Sequence, residues 1–258
     1  WLLSLTIPES PRYLVAEGKS AEAKVVLSKI YVEDVDTKVA AIEESLKGDH
    51  KPSMKDIKGP KFGLLPLVWV GIILAILQQF VGINAVFYYS NLIWSAVGFD
   101  ESRAFFTSTI ISAVNVIFTF VAIALIDRMG RRPLLLIGSA GMFVTLAILT
   151  FVFQSAPKCT EAILGSDGCA AVADLNTPML SSTNGWIAVI MLNTYVAFFA
   201  ATWGPIVWVL LGEMFPNRIR AAAMSVAVMS NWLANFIVSE TFPGLVGISL
   251  GLAYGLFT

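Results

Sequence analysis

The sequence predicts an all-α membrane protein with several spanning helices, and three observations carry that expectation. Long stretches hold no Asp, Glu, Lys or Arg: residues 64–92, 104–126, 133–157 and 175–212. An apolar run of ~20 residues is long enough to cross a bilayer as a helix. Hydrophobic residues make up 57% of the chain, and the mean hydropathy is +0.76, values that belong to a membrane setting. The charges that remain are segregated. Of the 17 basic residues, ten lie in 12–61, three are Arg128, Arg131 and Arg132, and two are Arg218 and Arg220. The positive-inside rule puts those three regions in the cytoplasm. They alternate with the other connections, as helical hairpins require.

The spans follow in order: 63–91, 104–126, 133–155, 185–213, 219–242 and a truncated 245–258. Residues 1–7 read as the end of an earlier span, so the chain is expected to be part of a longer protein. Residues 8–62 form a cytoplasmic insert. Within it, Ala23, Val26, Leu27 and Ile30, then Val39, Ile42 and Leu46, recur at helical spacing. They predict two short amphipathic helices, at 20–31 and 36–46. The connection 155–184 reads as an external loop. It holds both cysteines, Cys159 and Cys169. A disulfide and two free thiols stand level there, because spacing alone does not show that the β-carbons meet.

Polar groups inside a span mark either packing between helices or a pathway. Here they are amides and indoles. Gln78, Gln79 and Asn84 fall in the first full span, Asn115 in the second, Asn193, Trp203 and Trp208 in the fourth, and Asn231, Trp232 and Asn235 in the fifth. No Lys, Arg or His lies in a span interior, and Glu240 sits near an end. An amide donates and accepts without charge. A set of them suits a neutral ligand with many hydroxyls, and indole faces suit its C–H surface. Any single amide also serves as glue between helices. Two features favour a cavity. Gln78 and Gln79 point about 100° apart on one helix. Gly82 and the Gly204-Pro205 pair weaken two helices, and broken helices at membrane depth line cavities. Trp69, Trp94 and Trp186 read as interfacial anchors.

Three cytoplasmic segments each combine an acid with arginine: Glu9 with Arg12; Asp127 with Arg128 and Arg131; Glu213 with Arg218 and Arg220. Solvated loops and a gate of breakable Arg–carboxylate pairs both account for them. No metal-ligand cluster, no cofactor motif and no nucleic-acid patch occurs. His50, the single histidine, lies in the insert. An enzyme is not expected.

Five stretches resemble the sugar porters of the major facilitator superfamily: 8–12 (PESPR), 78–90 (QQFVGINAVFYYS), 127–132 (DRMGRR), 204–208 (GPIVW) and 213–220 (EMFPNRIR). They stand in family order across nearly the whole chain. The resemblance implies the C-terminal half of a twelve-helix transporter. Residues 1–7 would end helix 6, 8–62 would be the intracellular helical domain, and 63–258 would hold helices 7 to 11 and the start of helix 12. Carried over position by position, Gln78, Gln79, Asn84, Tyr88, Asn115, Phe199, Trp208, Asn231 and Trp232 would contact sugar. Glu9, Arg12, Asp127, Arg128, Arg131, Glu213 and Arg220 would form the cytoplasmic gate. The chain departs from the family at Val207, where many members have a second proline, so helix 10 is expected to bend differently. The implied function is transport of a hexose or pentose by alternating access in the cell membrane, with proton symport as the expected mode. The partners are then a sugar, protons, the bilayer and the N-terminal half. Facilitated diffusion, a polyol or inositol substrate, and a sugar receptor that does not transport are the alternatives.

Overall fold

The computed structural model describes residues 7–31, 34–47, 53–59, 63–90, 94, 101–156 and 180–258. Cys159, Cys169, His50 and nearly all of the 155–184 loop lie outside the described residues. The chain divides into two compact units, residues 1–56 and 57–258.

The first unit holds three short helices: α1 (Pro11–Ala16), α2 (Ser20–Ser28) and α3 (Val35–Lys47). α1 starts on a proline, whose fixed φ suits the first helical position. At six residues it is too short for periodicity to announce it, and the sequence reading has no helix there. Leu14, Val15, Ala23, Leu27 and Val39 form its buried core. Ser20 donates to Glu43 at 2.9 Å, and Lys24 pairs with Asp36 at 2.6 Å, tying α2 to α3 on the exposed side.

The second unit begins at Ile57, which is fully buried among Val68, Ile72 and Phe215. Five helices in it are long and apolar enough to cross a membrane: Pro66–Tyr88, Ser102–Met129, Arg131–Ser155, Thr183–Met214 and Asn217–Ile248. It is a multi-pass membrane protein. The first span is broken into α4 (Pro66–Phe80) and α5 (Ile83–Tyr88), the second is α6 (Glu101–Met129), and the third is α7 (Arg131–Ser155). The fourth is broken into α8 (Ser182–Ala201) and α9 (Trp203–Met214). The fifth is α10 (Asn217–Ile248), followed by α11 (Leu250–Leu256). α10 packs along α4, α8 lies against both α6 and α7, and α11 packs on α7.

Both breaks fall where the sequence weakens the helix. Gly82 adopts φ 84°, a left-handed conformation that costs little without a Cβ. Thr202 turns out of the helix at φ −136° and ψ −89°, just ahead of Pro205. The fifth span differs from expectation. The sequence predicts an end at 242, before Pro243-Gly244, but α10 runs through Pro243 to Ile248. Proline removes the N–H that would bond the Ser239 carbonyl. The Tyr89 hydroxyl donates to that carbonyl instead, at 2.9 Å, and its ring stacks on Phe242. A side chain from another helix thus fills the gap that would have stopped the helix.

Two apolar clusters hold this unit. One gathers Ile83, Val86, Leu146, Leu192, Tyr195, Phe242 and Tyr254. The other gathers Val68, Ile72, Val207, Leu211, Phe215 and Ala223. Gln78 and Gln79 on α4, and Asn231 and Asn235 on α10, fall between the stretches that feed the two clusters. Trp94 is fully buried in the first cluster, which corrects the interfacial reading. Trp69 and Trp186 are exposed.

Candidate functional site

Asn231 organises the polar middle of the bundle. Its Nδ2 donates to the Ala75 carbonyl at 2.8 Å and to Gln78 Oε1 at 3.0 Å. A backbone carbonyl only accepts, so this bond fixes which end of the Asn231 amide is nitrogen. The rest follows in sequence. Asn231 Oδ1 accepts from Gln79 Nε2 at 3.0 Å, and Gln79 Oε1 then accepts from Asn84 Nδ2. Gln78 Nε2 donates to the carbonyls of Trp203 and Gly204, at 2.9 and 3.2 Å. Four amides from three elements form one network with a defined direction, anchored on backbone carbonyls through Gln78 and Asn231 and ending at Asn84. Gln78, Gln79 and Asn231 are buried, so without these bonds each would cost free energy.

In front of this network lies an open cleft of about 380 Å³, within the ~300–1,000 Å³ range of small-molecule sites. Seven of the nine sugar-contact residues expected from the sequence line it: Gln78, Gln79, Asn84, Tyr88, Asn115, Phe199 and Trp208. Asn231 stands behind the wall, as the brace of Gln78 and Gln79. Trp232 does not face the cleft. It is 62% exposed, about 100° around α10 from Asn231. Ile83, Phe87 and Gly204 also line the cleft and were missed. Phe87 was legible in principle, since it lies one helical turn beyond Asn84.

The hydrogen-bonding capacity facing the cleft is unevenly spent. Both Gln78 N–H groups and one of its lone pairs are committed to neighbours. Among the described residues, Gln79 and Asn84 each keep one uncommitted N–H, and Asn84 keeps its Oδ1. The Asn115 side chain has no bonded partner among the described residues, and it sits at the middle of α6. The walls at Tyr88, Phe199 and Trp208 are aromatic. The site therefore offers neutral donors and acceptors on one side and ring faces on the other. No group of carboxylate, histidine and cysteine side chains able to hold a metal occurs among the described residues.

The comparisons with known proteins decide the family. The family described as "Sugar (and other) transporter" matches residues 1–258. The chain belongs to the sugar transporter family. It is 48% identical over 252 residues to the glucose transport protein of Synechocystis, covering 97% of this chain and 51% of that protein. It is 36% identical over 243 residues to the D-xylose-proton symporter of Escherichia coli, covering 94% of this chain and 43% of the relative. Among solved structures, the major facilitator superfamily proton:xylose symporter XylE bound to 6-bromo-6-deoxy-D-glucose superposes with a TM-score of 0.71 at 33% identity. That match covers 99% of this chain and 49% of the symporter. The chain thus spans about half the length of the relatives it matches.

This sugar-transporter chain also brings charges together at the end of the bundle opposite Ile83 and Phe242. Arg131 grips Glu213 with two donors, Nε to Oε2 at 3.1 Å and Nη2 to Oε1 at 2.7 Å. Its Nη2 also lies 3.3 Å from Asp127 Oδ1, and its Nη1 donates to the Ile126 carbonyl at 3.2 Å. One guanidinium therefore joins the end of α6, the start of α7 and the end of α9. Arg220 does not join this triad. Its Nε donates to the Phe215 carbonyl at 3.1 Å, closing the turn between α9 and α10. Arg128 is exposed outside the triad. Glu9 and Arg12 lie exposed in the first unit.

Proposed function

We propose that the protein moves a monosaccharide across the membrane by alternating access, coupled to proton entry. The observation that carries the reading is the cleft at Asn84, Asn115 and Trp208, where uncharged donors and acceptors face aromatic walls. A sugar ring presents that same pairing, with hydroxyls at its rim and C–H groups on its faces. Gln79, Asn84 and Asn115 bind hydroxyls, and Phe199, Tyr88 and Trp208 stack on the ring. Asn231 and Gln78 hold the binding amides in place.

The substrates of the relatives support a hexose or pentose. Proton coupling rests on the likeness to the xylose-proton symporter. The polar lining of the cleft is amide and aromatic, so this reading places the titrating carboxylate in the other half. Asp127, Arg131 and Glu213 close the cytoplasmic side in the outward-facing state. The triad opens when the two halves rock. Uptake of labelled glucose and xylose by the full-length protein in sealed vesicles tests this. Accumulation above equilibrium that collapses with an uncoupler supports symport. Equilibration indifferent to the proton gradient refutes it and leaves a facilitator.

A further inference from the structure

The end of α9 is held from two sides, and the two holds differ in kind. On one side Glu213 meets Arg131, and both side chains are partly exposed. Water screens such a pair, so it contributes little by itself to where α9 ends. On the other side Phe215 is fully buried. Pro216 disfavours helical backbone at the residue before it, and Phe215 takes φ −87° and ψ 127°. The helix stops there, and the Phe215 ring packs against Gly71 of α4. A Cβ on Gly71 would come within 2.6 Å of Phe215 Cζ and 3.2 Å of Leu211 Cδ2. The side chain that Gly71 lacks is thus the hollow in which both residues sit. Ile57, Val68, Ile72 and Ile219 belong to the same buried cluster. Arg220 Nε donates to the Phe215 carbonyl at 3.1 Å and pins its backbone as well.

We propose that Phe215 is a positioning residue: its seat at Gly71 fixes the end of α9 so that Glu213 stays within the two-point grip of Arg131. The proposal rests on the reading of that pair as part of the cytoplasmic gate. Glu213 stands two residues after Leu211, about 200° round the helix from it. Leu211 packs toward α4, and Glu213 reaches the start of α7. The apolar seat and the ion pair therefore lie on opposite sides of one short segment. A two-point bond between guanidinium and carboxylate has strict geometry, because two oxygens must meet two donors at once. Displacing a buried phenylalanine would expose its ring or open a void, so the seat resists movement far more than an exposed pair does. The buried side sets the position, and the charged side depends on it. Phe215 does not line the cleft and carries no charge, so it acts on the gate through the placement of Glu213.

Gly71→Ala in the full-length protein tests this, because it fills the hollow and leaves every charge in place. The first readout is the labelling rate, per folded molecule, of one cysteine introduced in the cleft and attacked by a thiol reagent from the cytoplasmic side. The second is the distance distribution between spin labels at exposed Arg132 and Asn217. We expect labelling to quicken by about 2- to 5-fold, the scale of losing a partly exposed ion pair, and the label distances to broaden. Adding Phe215→Leu to Gly71→Ala shortens the side chain that clashes and should bring the rate back to within twofold of the parent. In an Arg131→Lys background, Gly71→Ala should add nothing further, since both changes spoil one contact. A merely structural role would lower the yield of folded protein and leave the rate per folded molecule unchanged, and that result overturns the proposal. An equal acceleration in the Arg131→Lys background overturns it too, because Phe215 would then act by a separate route. If Arg131→Lys alone leaves labelling unchanged, the gate reading fails, and the spin-label distances still decide the positioning: equal widths in parent and Gly71→Ala sink it.

Discussion

Asn231 and Gln79 are joined by a 3.0 Å hydrogen bond between α10 and α4, and the direction of that bond is imposed by the Ala75 carbonyl on the far side of Asn231. A residue with no face on the cleft therefore sets which atoms Gln79 presents to it. Asn231→Ala would strand Gln78 Oε1 and Gln79 Nε2 together and remove the second donor to the Ala75 carbonyl. Each stranded group costs about 1–3 kcal/mol. The variant is expected to lose both thermal stability in detergent and sugar affinity. Retained affinity with full stability would show that the brace is not needed.

Asn115 should behave in the opposite way. Its amide has no bonded partner among the described residues, so Asn115→Ala removes nothing from the fold. The expected outcome is an unchanged melting temperature with sugar affinity weakened by about 1–3 kcal/mol, the range for a hydroxyl left unpaired. Calorimetry and thermal denaturation on the same preparation separate the two effects. A lowered melting temperature with intact affinity would make Asn115 a packing residue.

The contrast between these residues shows what the sequence could convey. The spacing of uncharged runs locates the spans because bilayer thickness sets one length for all of them. It locates the amides as well, since a polar residue in such a run stands out. It does not show which amides are spent on neighbours. Gln78, Gln79 and Asn231 look alike in sequence, yet Gln78 has both donors committed and Asn231 is hidden behind the wall. Trp94 looks like an anchor and is core. Pro243 looks like a stop, but Tyr89, 150 residues before Ser239, supplies what it removes. Each depends on contacts between distant parts of the chain, which local pattern does not encode.

Gly204 sits where a Cβ would lie 3.3 Å from the Phe199 ring and 3.3 Å from its carbonyl oxygen. Phe199 lines the cleft, so Gly204→Ala should press its ring toward the ligand. KM for a hexose is expected to rise more than KM for a pentose, which occupies less of the cleft. Equal changes for the two sugars would mean that the strain is absorbed elsewhere.

Gly82→Ala meets two penalties. Its φ of 84° disfavours any L side chain, and a Cβ would come within 2.7 Å of the Phe257 ring. The conformational part alone amounts to about 1–2 kcal/mol. The midpoint of thermal unfolding should drop, and an unchanged midpoint would show that the break relaxes into a continuous helix.

Arg131 and Glu213 are partly exposed, and an exposed pair adds at most about 1 kcal/mol to stability. Arg131→Lys keeps the charge and loses the two-point grip. Melting temperature should barely move, while a cysteine introduced in the cleft should become more reactive to a thiol reagent added from the cytoplasmic side. Unaltered reactivity would remove the triad from the gate.

The most direct measurement is binding of labelled D-glucose and D-xylose to the full-length transporter, parent against Gln79→Ala and Asn115→Ala. The account predicts that the parent binds at least one of these sugars and that both variants bind it more weakly, by about 5- to 150-fold. Sugar binding that is equal in all three proteins would contradict it and move the site away from this cleft.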